Sequence, residues 1–230
     1  MENNLFIQLL LKLKILNPNK KIAKQLRRPH GKLANYVGEQ MNLGNRDLYE
    51  FMLKNIDIKN GERVLEIGYG NGHFYKDIFE KSPDAEISGI DLSQIMHKEA
   101  VITNKELIEA GKLDLHHGTS DRIPYQDNIF DKVFCLNVVY FWDKPEDHLK
   151  EILRVLKPGG TFYSGNRTKE TMKQMPFSPY GFSMYDPEDW QAMLNNNNFK
   201  NTDFLRHTET VEDFNGKETH YYSACVWGKK

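Results

Sequence analysis

The chain has 230 residues, with 31 Lys and Arg against 32 Asp and Glu and a formal charge of −1. That length suits one α/β domain with a large core, and the near-neutral balance gives no electrostatic basis for binding nucleic acid. Two cysteines, Cys135 and Cys225, fall in apolar strand-like runs without metal-ligand spacing; they read as free buried thiols of a reducing, cytoplasmic protein with no metal.

Residues 1–58 read as a helical cap, with helices over roughly 3–16, 19–28, 31–41 and 45–56 punctuated by Pro18, Pro29, Gly31 and Gly44. The first is apolar except for a stripe of Asn4, Gln8 and Lys12. It is too short and interrupted to span a bilayer. Packing on protein, either this subunit or its twin in a homodimer, is favoured for residues 3–16 over peripheral membrane contact, because the polar face is not strongly basic. No signal peptide or spanning helix is expected.

Residues 59–230 alternate strands and helices, which predicts a mostly parallel sheet covered on both faces. The strand at 63–67 ends in Glu66 and opens into Gly68-Tyr69-Gly70-Asn71-Gly72, followed by a helix to Lys81. Strand, glycine turn and helix together predict a site for a nucleoside-like cofactor. The spacing is G-x-G-x-G, and His73 stands where a dinucleotide fingerprint wants glycine for close packing. A carboxylate at Glu66 would repel a pyrophosphate but suit a cofactor with a cationic amino-acid end. The next strand, 86–90, leads to Asp91, 23 residues after Gly68, near the roughly 20-residue offset of a ribose-binding acid. Ser93 reads as the N-cap of a helix to about Glu109. Further strands are expected at 113–117, 130–137 and 161–166, with a helix over 145–156 between the last two. Residues 167–184, rich in Met, Pro, Phe and Tyr, form a substrate-side loop. A helix from Asp186 and two closing strands, about 199–206 and 218–227 around Asn215-Gly216, complete the chain as an antiparallel pair.

Four segments in this order resemble the class I S-adenosylmethionine-dependent methyltransferases: Val64-Leu65-Glu66-Ile67-Gly68-Tyr69-Gly70-Asn71-Gly72, Gly89-Ile90-Asp91-Leu92-Ser93, Gly118-Thr119-Ser120-Asp121-Arg122-Ile123-Pro124-Tyr125 with Phe130-Asp131, and Leu153-Arg154-Val155-Leu156-Lys157-Pro158-Gly159-Gly160. Within that class the chain looks like the branch holding ubiquinone/menaquinone-type and many small-molecule methyltransferases. The resemblance implies a Rossmann-like seven-stranded sheet with an antiparallel last strand, and S-adenosyl-L-methionine as cofactor. It assigns the Gly68–Gly72 backbone to the methionine end and Asp91 to the ribose hydroxyls. Leu92 and Met96 would lie against adenine, the Ser120 N–H would meet the ring, and Asn137 would approach the methionine moiety and the acceptor. The family often carries an acid where Thr119 stands, so Thr119 or Asp121 would hold the adenine amino group. Arg28-Pro29-His30-Gly31 with Gly38-x-x-Met41-Asn42-x-Gly44-Asn45 is also similar to a group of bacterial methyltransferases, which suggests Met41, Asn42 and Asn45 over the cofactor.

Methyl transfer is an in-line displacement, so alignment does much of the work, and aromatic faces can surround the methyl without trapping the cofactor's ground-state charge. Tyr69, Tyr140 and Trp142 follow parallel strands, where ligands bind; for the last two a packing role competes. His30, in the cap, is the candidate general base, with a solvated or capping role as the alternative. Tyr36 and Tyr180 are candidate phenols. Arg167 would hold an acidic group of the acceptor or else form a salt bridge. The expected function is methylation of a small, apolar or aromatic acceptor. The alternatives are a non-catalytic S-adenosylmethionine-binding or interaction protein, a methyltransferase acting on a macromolecule and, more remotely, a nicotinamide oxidoreductase.

Overall fold

The computed structural model describes residues 18–212 and 218–230. The helix expected over 3–16 and the Asn215-Gly216 turn lie outside the described residues.

Among the described residues three elements precede the sheet: α1 (Pro18–Arg27), a 3₁₀ turn (Gly31–Leu33) and α2 (Ala34–Ile56). The α/β alternation then runs β1 (Arg63–Ile67), α3 (Tyr75–Lys81), β2 (Glu86–Asp91), α4 (Gln94–Thr103), α5 (Lys105–Glu109), β3 (Leu113–His117), β4 (Phe130–Leu136), a 3₁₀ turn (Val139–Phe141), α6 (Pro145–Val155) and β5 (Leu156–Arg167). It ends with α7 (Lys169–Gln174), α8 (Pro187–Asn196), β6 (Lys200–Glu212) and β7 (Glu218–Lys229).

The strands form one seven-stranded sheet in the order β3-β2-β1-β4-β5-β7-β6. β1 pairs in parallel with both β2 and β4, while β7 runs antiparallel to β5 and β6. The chain therefore reverses its direction of winding beside β1, and that switch point opens a crevice at the carboxyl ends of β1 and β4.

The strands flanking the crevice are apolar on both faces, as a doubly covered parallel sheet requires. On one face α6 buries Leu149, Ile152 and Val155, and α8 buries Trp190 and Leu194. On the other, the second half of α2 buries Leu48, Tyr49, Met52, Leu53 and Ile56 against Val64, Phe134 and Cys225. Residues 48–56 are thus part of the main layer, and only the preceding segment overhangs the sheet.

Several boundaries differ from the sequence expectation: β5 starts at Leu156 and not at 161, and β6 runs on to Glu212. The predicted break at Gly44 does not occur, because burial of the Leu48–Ile56 face outweighs the roughly 1 kcal/mol helical cost of glycine. The helix expected from Asn71 begins only at Tyr75. The helix after Ser93 breaks at Asn104, whose side-chain amide donates to the carbonyls of Ala100 (3.0 Å) and Gly72 (3.1 Å), tying the break to the glycine turn. The 167–184 excursion contains α7, and Ser183 N donates to Tyr140 O at 2.9 Å.

Candidate active site

A cavity of about 470 Å³ occupies the crevice beneath α1 and the first half of α2. Its floor is the glycine turn. Gly68 has φ +80°, and a Cβ there would stand 2.4 Å from Val138 Cγ2. Gly70 also has positive φ, +59°, but nothing lies within 4 Å of where its Cβ would be. The first glycine lets the turn pack under the loop after β4; the second leaves backbone bare toward open space. Gly72 stands apart from the cavity lining, with its carbonyl held by Asn104.

Asp91 and Glu66 both line this cavity and both are buried, 9% and 4% exposed. Asp91 Oδ2 accepts from Gly70 N at 2.8 Å and Oδ1 from Ser93 N at 2.7 Å. Burial nevertheless raises its carboxyl to about 6, against the pull of those two backbone bonds. The bonds fix the carboxylate plane while each oxygen keeps a second lone pair. Glu66 faces tyrosine hydroxyls instead: Tyr49 OH donates to Oε1 at 3.2 Å, and Tyr75 lies beside it. Burial raises it to about 8, with Asp91 adding repulsion. Two buried acids at one crevice, both raised by burial, suit a ligand that brings a cationic group and hydroxyl donors.

The far wall comes from the loops after β3 and β4. Thr119 donates to Asp121, and Ser120 Oγ bonds His148 Nδ1 at 2.8 Å. His148 lies parallel to Trp142 with centroids 4.6 Å apart, and burial lowers its pKa, so it is neutral near pH 7. Leu92, Met96, Thr119, Ser120 and Asp121 all face the cavity. Asn137, with φ +54°, accepts from Tyr140 OH (2.8 Å) and donates to Asn45 (2.9 Å). The loop after β4 is thereby clipped to α2 across the site.

Aromatic and apolar side chains complete the lining. Tyr49 and Phe74 stack with centroids 4.0 Å apart, and Met41, Phe141, Leu26 and Pro29 continue the wall. Two contacts hold the N-terminal overhang closed. Arg27 makes a two-pronged ion pair with Asp143, at 2.7 and 3.3 Å, and Ser93 Oγ donates to Pro29 O at 2.6 Å.

Several sequence candidates stand elsewhere. His30 is exposed and outside the cavity lining; its ring contacts Arg28 O (2.8 Å) and the Gln25 amide. Tyr140 is buried behind Asn137, with its hydroxyl shared among Asn137 and the backbone of Arg167. Arg167 is 8% exposed and also lies off the cavity. Its guanidinium is taken up by Glu209 (2.6 Å), Gly44 O (3.0 Å) and Ser223 Oγ (3.3 Å), and it lies over Tyr221. That arrangement is the salt-bridge alternative. Tyr180 is 38% exposed and off the lining. Tyr36 lines a second, separate cavity. Conversely, the sequence reading did not single out Tyr49, Phe74, Phe141, Arg27, Asp143 or His148. Tyr49 carried a usable signal, lying among Leu48, Met52, Leu53 and Ile56 on a helix bound to pack on the sheet. The Arg27–Asp143 pair is separated by 116 positions and had none.

The sheet order and the acid-flanked glycine turn define a nucleoside-type cofactor domain of the methyltransferase class. The methyltransferase domain family matches residues 65–164. The methyltransferase homologue YrhH of Bacillus subtilis is 32% identical over 132 residues, covering 57% of this chain and 72% of its own. The chain belongs to this methyltransferase family, and S-adenosylmethionine is its cofactor. A sterol 24-C-methyltransferase of Gibberella zeae is 32% identical over 112 residues, which are 49% of this chain but only 29% of that enzyme. In fold, a SAM-dependent methyltransferase from Aquifex aeolicus superposes with TM-score 0.63 at 20% identity, covering 91% of this chain and 97% of that one.

The residues present fit that cofactor. Gly70 offers an unobstructed backbone surface, Asp91 is a buried acceptor held in one orientation, and Glu66 is a buried acid that lacks a cationic partner within hydrogen-bond distance.

Proposed function

We propose that this enzyme methylates a small apolar or planar acceptor. The observation that carries the reading is the mixed lining of one cavity. Glu66, Asp91 and the glycine turn give it polar groups, and Met41, Tyr49, Phe74 and Phe141 give it apolar and aromatic surface beside them. Bound S-adenosylmethionine supplies an electrophilic methyl on a sulfonium sulfur. Asp91 accepts from the ribose diol, and Glu66 ionises beside the cofactor's amino group, directly or through water. The Gly68–Gly70 backbone lies along the methionine portion. Leu92 and Met96 pack against adenine, with Ser120 N–H and either Thr119 or Asp121 at its edge. Asn137, fixed by Tyr140 and Asn45, presents its amide near the reacting atoms.

Acceptor binding falls to the aromatic wall and to Trp142. The Arg27–Asp143 and Ser93–Pro29 contacts hold the overhang shut, which excludes water and limits the acceptor to compounds that fit beneath α1 and α2. No side chain of the apolar wall is a strong base, so acceptors that are already nucleophilic are favoured; Asn137 orients rather than deprotonates. The name of the sterol-methylating relative supports an apolar acceptor. Cys135 and Cys225, free and buried, support a reducing, cytoplasmic setting.

The test is to measure S-adenosylhomocysteine formation against a panel of apolar, aromatic and charged small acceptors, with RNA and protein extracts as comparators. Turnover confined to apolar or planar small compounds, and reduced by Phe141→Ala through KM, is expected. Turnover only on RNA or protein, or cofactor binding without turnover on any acceptor, would replace the proposal with one of its alternatives.

A further inference from the structure

A second cavity, of about 550 Å³, lies on the other side of the glycine turn, between α2 and α4. Tyr36, Glu39, Gln40 and Arg46 reach it from α2, Asn71 and His73 from the turn, and Glu99 from α4. Nothing in the proposed methyl transfer uses this cavity.

Three of its polar atoms are acceptors left unmatched. Gln40 Oε1, Asn71 Oδ1 and Glu99 Oε2 are each buried without a hydrogen-bond partner among the described residues. Asn71 itself is 8% exposed. A buried acceptor left unmatched is costly, and three of them edge this one cavity. The charges point the same way. Glu99 is raised from the ordinary carboxyl range by burial and then by the neighbouring Glu39, so two like charges share the space. The one arginine present does not relieve them. Arg46 is turned to Glu50 and Asp77, each at 3.5 Å, and to His73 Nε2 at 2.9 Å.

Acceptors and carboxylates together call for a ligand that is cationic and rich in donors. A bare metal ion fits less well. Among the described residues no three metal-binding side chains come together, and the volume far exceeds that of a single ion. An alkylammonium group has three donors, matching the three unmatched acceptors, and a second ammonium would answer the second carboxylate.

We infer that the α2–α4 cavity is a binding site for a small aliphatic amine, a diamine best of all, held by Glu99, Gln40 and Asn71 at one end and by Glu39 at the other. The site is separate from that of the cofactor, although Asn71 and Asn42 line both cavities. A bound amine therefore sits directly behind the glycine turn.

The experiment uses the full chain and 1,4-diaminobutane, titrated calorimetrically at fixed ionic strength against a sodium chloride control. Saturable one-to-one binding is expected. Glu99→Gln should weaken it at least tenfold and Glu39→Gln by a smaller factor. Both substitutions keep size and shape, and S-adenosylhomocysteine titration of each variant should give an affinity within about twofold of the parent, which shows that the fold and the first cavity are intact. Three results would overturn the inference: no saturable diamine binding, as for a cavity served by water alone; diamine binding that survives Glu99→Gln and Glu39→Gln together; or displacement of the diamine by millimolar magnesium or calcium ions that themselves bind more tightly. None of these outcomes depends on whether the methyl acceptor has been identified.

Discussion

The two halves of the main cavity are built by different means. The cofactor half consists of backbone and short side chains at the ends of β1, β2 and β3, within residues 66–121, and its polar groups are fixed by contacts between adjacent strand ends. The half proposed for the acceptor is assembled from α1, α2, the turn after β4 and the start of α6. It depends on side chains far apart in sequence: Arg27 with Asp143, Asn45 with Asn137. The first is rigid by construction. The second is held by one partly exposed ion pair and a few hydrogen bonds, so its closure depends on fewer fixed contacts.

The sharpest way to break this contrast is Gly68→Ala. A methyl at 2.4 Å from Val138 Cγ2, on a backbone at φ +80°, should cost about 2–4 kcal/mol of stability and abolish cofactor binding. Gly70→Ala, with open space at the same position, should cost only about 1 kcal/mol of stability, with its larger effect on affinity. Thermal melting and S-adenosylhomocysteine titration separate the two; equal melting losses would refute the division of labour between these glycines.

Asp91→Ala should weaken cofactor binding by about 2–4 kcal/mol, since charge-assisted bonds are lost together with the anchor for Gly70 N. An unchanged dissociation constant in a folded variant would remove Asp91 from the ribose site.

Glu66 gives the comparison a pH axis. Its folded pKa, about 8, lies above the ordinary value of 4.5. Its contribution to the stability of the free protein is therefore fully present below about pH 4.5 and is lost as pH rises toward and through 8. A cationic amino group favours the ionised form, so the cofactor should bind more tightly as pH rises from 6 to 8, by at most about tenfold per unit, with proton release. Calorimetry in buffers of different ionisation enthalpy measures that proton. Glu66→Gln should flatten the pH dependence; a slope that persists in Glu66→Gln would place the titrating group elsewhere.

The smallest effect belongs to the overhang. Asp143→Ala removes the partner of Arg27, but the side chains are 81% and 38% exposed, so stability should fall by less than about 1 kcal/mol. Hydrogen exchange over residues 18–33 should nevertheless quicken, and acceptor KM should rise more than cofactor Kd. Unaltered exchange would mean that the ion pair does not hold the acceptor half closed.

The cofactor half was legible in the sequence because each of its requirements is local. Positive φ selects glycine at 68 and 70, an acid must close β1 and β2, and Ser93 must cap the next helix, accepting from Met96 N at 3.3 Å. The alternation of strands and helices likewise determined the sheet and its covered faces, since period and apolar run length are properties of short segments. What only the tertiary structure decided was the assignment of solitary polar and aromatic side chains. His30 and Tyr36 sit in a cap segment that by spacing alone could have faced the cofactor, yet the rotation of α2 set by Leu48–Ile56 turns Met41, Asn45 and Tyr49 inward and Tyr36 toward the second cavity. Arg167 ends a strand at the expected level, but a strand end fixes a Cα and not where a long side chain finds its charge; Glu209, 42 positions on, supplies that charge only after β6 has joined the sheet. Local sequence sets backbone conformation, whereas a side chain's partner depends on which distant element packs beside it, and that packing is settled by burial over the whole core.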